Sequence, residues 1–363
     1  MMHNFLADYQ NVLLRHVIIP GSHDAGLAAD SYGSLGLGAP KSKTVTQSAG
    51  VGRQAICGSR FFDVRIIKSG GQLKSYHSPG DTRKVGGVGQ GFESILNELR
   101  DFVARNQTEF VIIRLSHLQD TSEVFTLLRQ WMEQAPSNGI GVNGDLVYKG
   151  KGNLATKFVH ELAGRIIFLV EGKKMAIENF YSKAEIKGSP KPMWIPGQAD
   201  GFHTLYQNKE GKALPDVTDG LCICGEFSSS TKLDKIVSKQ SANYTAHDKH
   251  RTHGDNKAHL YCLYWTSTGG NIQQNTQQLS TNFQEVRSMV ANMQGKTAQS
   301  CIDNNIPLVN TKAWSTAISL EDQARRKYAV LSCSLPNIIL YDFVNEDTSK
   351  AIVGLNGLTL CKT

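Results

Sequence analysis

IPGSHDAG, residues 19–26, places a histidine and an aspartate directly after a short apolar run at residues 17–19. That run has the length of a buried strand, and a Pro-Gly pair breaks it. Polar groups at the end of a buried strand cost free energy unless they find partners or serve chemistry. His23 and Asp24 are therefore candidate site residues.

A second stretch, RFFDVRI at residues 60–66, has the same design. Strand alternation puts Asp63 and Arg65 on one face and their apolar neighbours on the other. A third stretch, LKSYHSPG at residues 73–80, brings His77 to another strand-like end. Two histidines, an arginine and two carboxylates near strand ends are the components of an acid–base phosphoryl-transfer site.

In this order and at this spacing, PGSHDAG, GSRFFDVRI and YHSPG resemble the X domain of the phosphatidylinositol-specific phospholipases C, in its bacterial form. Two later stretches extend the resemblance. LYCLYWTSTGG at residues 260–270 is similar to a late barrel strand and its loop, and PNIILYDFV at residues 336–344 is similar to the last strand. Residues from about 140 to 255 carry no comparable match.

Short apolar strands alternate with helical patterns along the chain, which predicts a parallel sheet. Seven or eight such strands favour a closed barrel over an open sheet. The resemblance implies the same α/β fold, a distorted TIM-type (β/α) barrel. We therefore expect a single domain over residues 1–363 with long loop insertions, its catalytic motifs within 16–117 and its C-terminal barrel strands within 258–345.

Several segments carry specific expectations. Apolar residues at helical spacing predict an amphipathic helix over residues 92–105, and glycines predict a mobile loop over 80–91. Residues 185–220 read as a long irregular excursion, and residues 240–257 as a polar insertion.

The composition excludes several classes of protein. The chain is 40% hydrophobic and 20% charged, as in globular enzymes, and lacks an apolar run of about 18 residues that could span a bilayer. Its net charge of +7 is spread along the sequence without interleaved aromatic residues, so we expect no nucleic-acid partner. The N-terminal residues lack the basic and apolar regions of a secretory signal. We expect a monomer that is cytoplasmic, or exported without a signal peptide, and peripheral to membranes during catalysis.

The seven cysteines are odd in number and mostly lie in apolar runs, which is typical of reduced thiols in a protein core. Cys222 and Cys224 have the wrong spacing for a zinc knuckle. We interpret both as structural.

The resemblance implies a role for each candidate catalytic residue. His23 would be the base that takes the proton from the inositol 2-hydroxyl, and His77 the acid that protonates the departing diacylglycerol oxygen. Arg65 would hold the phosphate, which its planar guanidinium suits. Asp342 would orient His23, and Asp24 would pair with His77.

Head-group recognition is expected from another set of residues. Asp63, two residues from Arg65 on the same strand face, most simply orients that arginine. Bacterial members of the family place a lysine after the strand that corresponds to residues 109–116. At that point this chain has a serine followed by His117. The expected substrate-binding residues are Asp63, His117, Glu171 and Glu226, with Tyr244 as an alternative to Glu226.

Arg65 also bears on cofactors. In the eukaryotic members a calcium ligand occupies the matching position, and a fixed cation there leaves no role for a divalent metal. The resemblance thus implies a site without metal or other cofactor. The metal-dependent glycerophosphodiesterases and sphingomyelinase D-like enzymes share a barrel but use a carboxylate pair on that strand, which Asp63 and Arg65 do not supply.

The resemblance thus implies a phosphodiesterase, a phosphorus–oxygen lyase that cleaves phosphatidylinositol or a related inositol phosphodiester to a 1,2-cyclic phosphate and diacylglycerol. Two alternatives remain: action on a different phospholipid head group, or a barrel without catalysis that binds a membrane or partner. Membrane contact is expected from the 185–220 excursion, through Lys187, Lys191, Trp194, Ile195 and Phe202.

Overall fold

The structure is a computed structural model. It describes residues 2–79, 83–135, 141–171, 200–208, 213–247, 257–267, 270–281, 283–290 and 336–358. Its strands, in chain order, are β1 (Ile19–Ser22), β2 (Gly33–Gly36), β3 (Phe61–Ser69), β4 (Gln72–His77), β5 (Val85–Gly91), β6 (Phe110–Ser116), β7 (Arg165–Glu171), β8 (Phe202–Asn208), β9 (Leu221–Cys224), β10 (Leu260–Trp265) and β11 (Ile338–Tyr341).

Within the described residues, eight parallel strands close a barrel in the order β1, β11, β10, β9, β8, β7, β6 and β3. The ring closes because β1 pairs with both β11 and β3. The predicted TIM-type barrel of the α/β class is confirmed. In such barrels, functional side chains lie at the carboxyl ends of the strands.

The second half of β3 leaves the barrel and pairs with β4, which continues antiparallel through β5 to β2. We call β2, β4 and β5 the β-extension. The predicted mobile loop over residues 80–91 is wrong from Val85 onward, where β5 is a strand. Its glycines serve close packing: a Cβ on Gly89 would collide with the carbonyl oxygen of Gly26, and a Cβ on Gly87 with the Tyr32 ring.

The helices surround the barrel. They are α1 (Val51–Ile56), α2 (Phe92–Arg105), α3 (Thr121–Glu133), α4 (Val159–Leu162), α5 (Leu233–His247), α6 (Ile272–Thr281) and α7 (Glu346–Gly354), with 3-10 turns at Met2–Tyr9, Leu14–His16, Lys41–Lys43, Asn143–Leu146, Leu154–Thr156 and Leu355–Leu358. Helix α2 matches its prediction, since the apolar residues that define its periodicity are all buried. None of the described helices is long and apolar enough to cross a bilayer.

Strand alternation divides the core into an inner and an outer layer. In β10, Leu260 and Tyr264 pack in the barrel interior, whereas Tyr261 and Trp265 pack in the layer beneath the helices. In β6 the same alternation puts Phe110 and its i+2 neighbours on the interior face. Side chains within one strand therefore reach two different environments.

Two irregular segments differ from prediction. Phe202 begins β8 and is fully buried, with its ring 5.2 Å from Phe168 and 5.9 Å from Phe125. The expectation that Phe202 contacts a membrane is therefore wrong; the other residues named for that contact lie outside the described residues. Within 240–257, residues through His247 form the end of α5. Their helical spacing is hidden because polar types, Gln240 and His247, occupy the buried positions.

The amino end of the barrel holds a buried ion pair, which we call the basal pair, between Arg60 and Glu109. The Nε atom of Arg60 lies 2.6 Å from a Glu109 carboxylate oxygen, and both side chains have no exposed surface. Arg60 precedes β3 and Glu109 precedes β6. The guanidinium also stacks between the rings of Phe5 and Phe102. The pair thus lies at the end of the barrel where structural residues are expected.

Candidate active site

The opposite end of the barrel gathers six charged or titratable side chains, which we call the mouth cluster. Four of them lie at or directly after the carboxyl ends of β1, β4 and β11, and the ends of β1 and β11 are paired in register. The other two project from β3, one pleat apart. The members are His23, Asp24, Asp63, Arg65, His77 and Asp342.

His23 is paired with Asp342 through one ring nitrogen. The Nδ1 atom lies 2.8 Å from Oδ1 of the carboxylate, whose second oxygen accepts a hydrogen bond from the Ser267 backbone N–H at 3.3 Å. His23 is 5% exposed and Asp342 is fully buried. The carboxylate fixes the tautomer that leaves Nε2 of His23 for chemistry.

Asp24 links the other cations of the cluster. Its carboxylate accepts a hydrogen bond from Nδ1 of His77 at 2.6 Å, lies 2.9 Å from Nε of Arg65, and lies 3.6 Å from Nε2 of His23. The residue has a left-handed backbone with φ of 41°, and Thr46 donates to its carbonyl oxygen. A strained conformation held by its surroundings is typical of functional sites.

The charges of this cluster shift its acid–base equilibria. Burial alone would lower the pKa of His23, but Asp24 and Asp342 outweigh it and raise that pKa to about 9. Burial opposes ionisation of Asp24 as well, yet Arg65 and the two histidines hold the pKa of Asp24 below its ordinary value. Burial raises the pKa of Asp342. Near neutral pH, His23 is therefore an imidazolium beside an ionised Asp24.

Asp63 contacts the Arg65 predicted as its partner, but two other side chains lie closer to it. One of its oxygens accepts a hydrogen bond from Ser116 Oγ at 2.8 Å and lies 3.6 Å from Nε of Arg114, whereas the guanidinium of Arg65 is 3.9 Å away. The carboxylate nearest Arg65 is that of Asp24. The sequence analysis paired His77 with Asp24 and Arg65 with Asp63, whereas in the structure Asp24 contacts both His77 and Arg65.

Arg114 is a further candidate that the sequence analysis missed. It is 3% exposed on the inner face of β6, donates to Gln207 at 3.0 Å, and lies 3.4 Å from the Tyr264 hydroxyl. The Tyr264 ring packs against Phe227 at 4.1 Å, and Phe227 packs against the His23 ring at 5.5 Å. Arg114, Gln207 and Tyr264 thus form a polar layer inside the barrel, and Phe227 connects this layer to the ring of His23.

The signal for Arg114 was present in the strand itself. In FVIIRLS, Arg114 shares a face with Phe110 and Ile112, whose side chains fill the barrel interior. An arginine on that face needs buried partners. We expect the same alternation test to find interior charges in other barrel strands.

The remaining predicted substrate-binding residues are placed in different ways. His117 is exposed after β6, has φ of 49°, and its carbonyl oxygen accepts a hydrogen bond from a tyrosine hydroxyl of β4. Glu171 ends β7, with its side chain outside the described part. Glu226 reaches Lys239 of α5, at 3.9 Å. Tyr244, the alternative to Glu226, is buried in the outer layer beneath the helices.

The mouth cluster also has atoms that could ligate a metal. Donor atoms of His23, Asp24 and Asp63 lie within 4.8 Å of one another. However, calcium takes six to eight oxygen ligands, and these two carboxylates already contact Arg65 and the side chains around it. The residues present do not fit a calcium site, because the Arg65 guanidinium already lies 2.9 Å from Asp24 and 3.9 Å from Asp63.

Solved structures with the same fold include two bacterial enzymes. The phosphatidylinositol-specific phospholipase C of Listeria monocytogenes superposes with a TM-score of 0.50 and 14% identity, covering 98% of this chain and 98% of that chain. That of Staphylococcus aureus, in a study of its membrane binding, gives a TM-score of 0.52 and 15% identity, covering 97% and 96%. No protein-family model and no curated protein matches this sequence. At these identities the comparison establishes the fold.

Proposed function

We propose that this protein is a metal-independent phosphodiesterase of the phosphorus–oxygen lyase type, acting on phosphatidylinositol or a related inositol phospholipid. The observation that carries the proposal is a symmetrical one. Two histidines each donate Nδ1–H to a buried carboxylate, His23 to Asp342 at 2.8 Å and His77 to Asp24 at 2.6 Å, with Arg65 beside them.

Such a pair suits cleavage by an internal nucleophile. In its neutral form, which gains population as pH rises towards its pKa of about 9, His23 would accept the proton of the inositol 2-hydroxyl at Nε2 as that oxygen attacks phosphorus, and the new P–O bond would close the cyclic phosphate. The P–O bond to glycerol would break, and His77 would give its proton to the leaving oxygen. In both rings the carboxylate holds Nδ1, so Nε2 is the atom that exchanges protons.

Arg65 would stabilise the charge that builds on phosphate during attack. Its side chain is 12% exposed, so the guanidinium can face a bound ligand while its Nε side stays against Asp24. Electrostatic stabilisation of this kind is commonly the largest single contribution to such reactions. The carboxylates that a metal would need are engaged with this cation, which supports catalysis without metal.

The substrate class is supported by the fold and the comparisons. The Listeria and Staphylococcus enzymes are named for phosphatidylinositol, and the latter was studied for membrane binding. We propose that this chain likewise acts on lipid at a membrane surface through peripheral contact. Arg114, within the barrel below the cluster, is the cation we propose to hold Asp63 in place as head groups bind.

The test is incubation of the purified chain with phosphatidylinositol vesicles, with and without excess EDTA, followed by phosphorus NMR. We expect a 1,2-cyclic inositol phosphate signal that EDTA leaves unchanged. His77→Ala, measured in parallel, should produce no such signal while retaining its fold.

Two outcomes would contradict the proposal. Turnover that is lost in EDTA and restored by calcium would disprove metal independence. Vesicle binding without any product, from phosphatidylinositol or from vesicles of other phospholipid head groups, would favour a non-catalytic membrane-binding barrel.

A further inference from the structure

A second cluster of metal-binding side chains lies away from the mouth cluster. It contains Cys224 at the end of β9, His247 at the end of α5, and His259 just before β10. The Sγ atom and one ring nitrogen from each histidine lie within 4.8 Å of one another. Three elements that are separate in sequence thus bring three donors to one point.

This point is on the outer side of the barrel wall. Cys224 and its register partner Tyr261 pack in the layer beneath the helices, whereas Ile223 and Leu260 face the barrel interior. Cys224 and His247 are each 3% exposed. The cluster is therefore screened from any ligand bound at the mouth.

The hydrogen bonds of His259 define which of its ring nitrogens carries a proton. Nδ1 of His259 lies 2.9 Å from the Lys257 carbonyl oxygen, which can only accept, so Nδ1 carries a proton. In the neutral ring, Nε2 then presents its lone pair, and it faces Nε2 of His247 at 2.8 Å. A backbone carbonyl that fixes the tautomer of a histidine in this way is the usual support of a metal ligand.

We propose that Cys224, His247 and His259 bind a zinc ion that fastens the carboxyl end of α5 to the barrel wall. One thiolate and two imidazoles are ligands that zinc prefers, whereas calcium and magnesium prefer oxygen. Two nitrogens on one tetrahedral zinc lie about 3.3 Å apart, so the rings need to separate by roughly half an ångström.

Two further features suit a cation here. His247 is the last residue of α5, and the carboxyl end of a helix favours positive charge. His259 is partly exposed, which gives the ion a route from solvent to the buried donors. The ligand set leaves one tetrahedral position for a further ligand. The interpretation of Cys224 as purely structural is thereby replaced, while that of Cys222 is retained.

The test uses the purified full chain, stripped with chelator and titrated with Zn²⁺ against a chromophoric competitor. We expect a single ion per chain, and at least a tenfold loss of affinity in Cys224→Ser, His247→Gln and His259→Gln. The matched control is Cys222→Ser, a buried cysteine two residues earlier on the same strand face, which should bind zinc like the parent.

Two measurements on the parent chain keep the test independent of how well the variants fold. Co²⁺ in place of zinc should give a thiolate-to-metal absorption band, and bound zinc should slow alkylation of Cys224. Absence of stoichiometric binding would overturn the proposal and leave a hydrogen bond from His247 to His259. Binding that survives Cys224→Ser but is lost in His23→Ala would assign the ion to the mouth cluster and would also overturn it.

Discussion

The basal pair and the mouth cluster are both buried charges in one barrel, yet they are built differently. In the basal pair, one cation meets one anion. Arg60 also donates to the carbonyl oxygens of Ala55 and Ser59, and the second oxygen of Glu109 accepts from the Leu6 N–H. Neither side chain has exposed surface. Nothing can reach this pair without unfolding the end of the barrel.

The mouth cluster shares its carboxylates among several cations and opens to solvent. The single carboxylate of Asp24 lies within 3.6 Å of three basic side chains, those of His23, Arg65 and His77. The side chains of Arg65 and His77 are 12% and 25% exposed. Burial of charge is thus common to both clusters, and what distinguishes the mouth cluster is access from solvent together with a carboxylate shared by several basic side chains.

The largest expected effect is on the proposed base and acid. His23→Ala or His77→Ala should each lower kcat by roughly 10⁴-fold in a chain that remains folded, because each removes a proton-transfer group from a unit that works together. Steady-state rates on phosphatidylinositol and thermal unfolding measure both. His160→Ala, an exposed histidine stacked on Phe158, is the control. A double variant far slower than either single one would show that the two histidines act independently.

The basal pair should respond in the opposite way, through stability. Glu109→Gln leaves the buried Arg60 uncompensated and should lower the free energy of unfolding by about 3 to 5 kcal/mol, with kcat unchanged below the unfolding temperature. Denaturant titration measures the loss. Arg60→Met/Glu109→Leu removes both charges and should be more stable than the single variant. If Glu109→Gln abolished activity in the folded state, the contrast between the clusters would fail.

Arg65→Lys keeps the charge of the mouth cluster and removes the planar fork. We expect kcat/KM to fall by the equivalent of about 3 kcal/mol of transition-state stabilisation, because an ammonium cannot make the bidentate contact to phosphate. Arg129→Lys, in an exposed pair with Glu133 on α3, is the matched control for the same substitution. Equal activity of Arg65→Lys and the parent would remove Arg65 from phosphate binding.

The smallest effect concerns the pH dependence. Asp342→Asn removes a carboxylate that raises the pKa of His23, so that pKa should fall from about 9 towards 6.5. The acid limb of kcat/KM should move to lower pH, and the rate should fall less than on loss of either histidine. NMR titration of the His23 ring measures the shift directly; an unchanged pKa would contradict the assigned pairing.

The same shift has a consequence for stability with a definite sign. A raised folded-state pKa stabilises the fold fully below about pH 6.5, and that contribution is lost as pH rises through about 9. In Asp342→Asn this alkaline loss should shrink, which unfolding measurements between those two pH values would show.

The sequence was sufficient where local pattern and chemistry agree. Apolar periodicity predicted α2, and the strand-end motifs indicated His23 and Asp342, which the structure brings to hydrogen-bonding distance. It was insufficient where tertiary contacts override local preference. The glycines before α2 form β5 because neighbouring backbone leaves no room for side chains, and no local rule reveals that.

The sequence predicted where the site residues lie on the strands better than it predicted which of their side chains pair with one another. Spacing made Asp63 the natural partner of Arg65, since both share one face of β3. The left-handed backbone of Asp24 turns its carboxylate towards Arg65 instead, and Asp63 is engaged by Ser116. Likewise, Cys224 meets two histidines that lie more than twenty residues away in the chain, a proximity that only the folded barrel creates.

The packing of the β-extension against the His23–Asp24 turn gives a criterion for reading related sequences. Ser75 Oγ and the Gln90 N–H both donate to the Gly26 carbonyl at 2.8 Å, and a Cβ at Gly26 would collide with Ser75. The strand that carries His77 thus docks on bare backbone. A relative that retains all six charged residues but has a side chain at the position of Gly26 would hold its two histidines out of alignment. Under the proposed function, we expect such a relative to be less active even though all six charged residues are present.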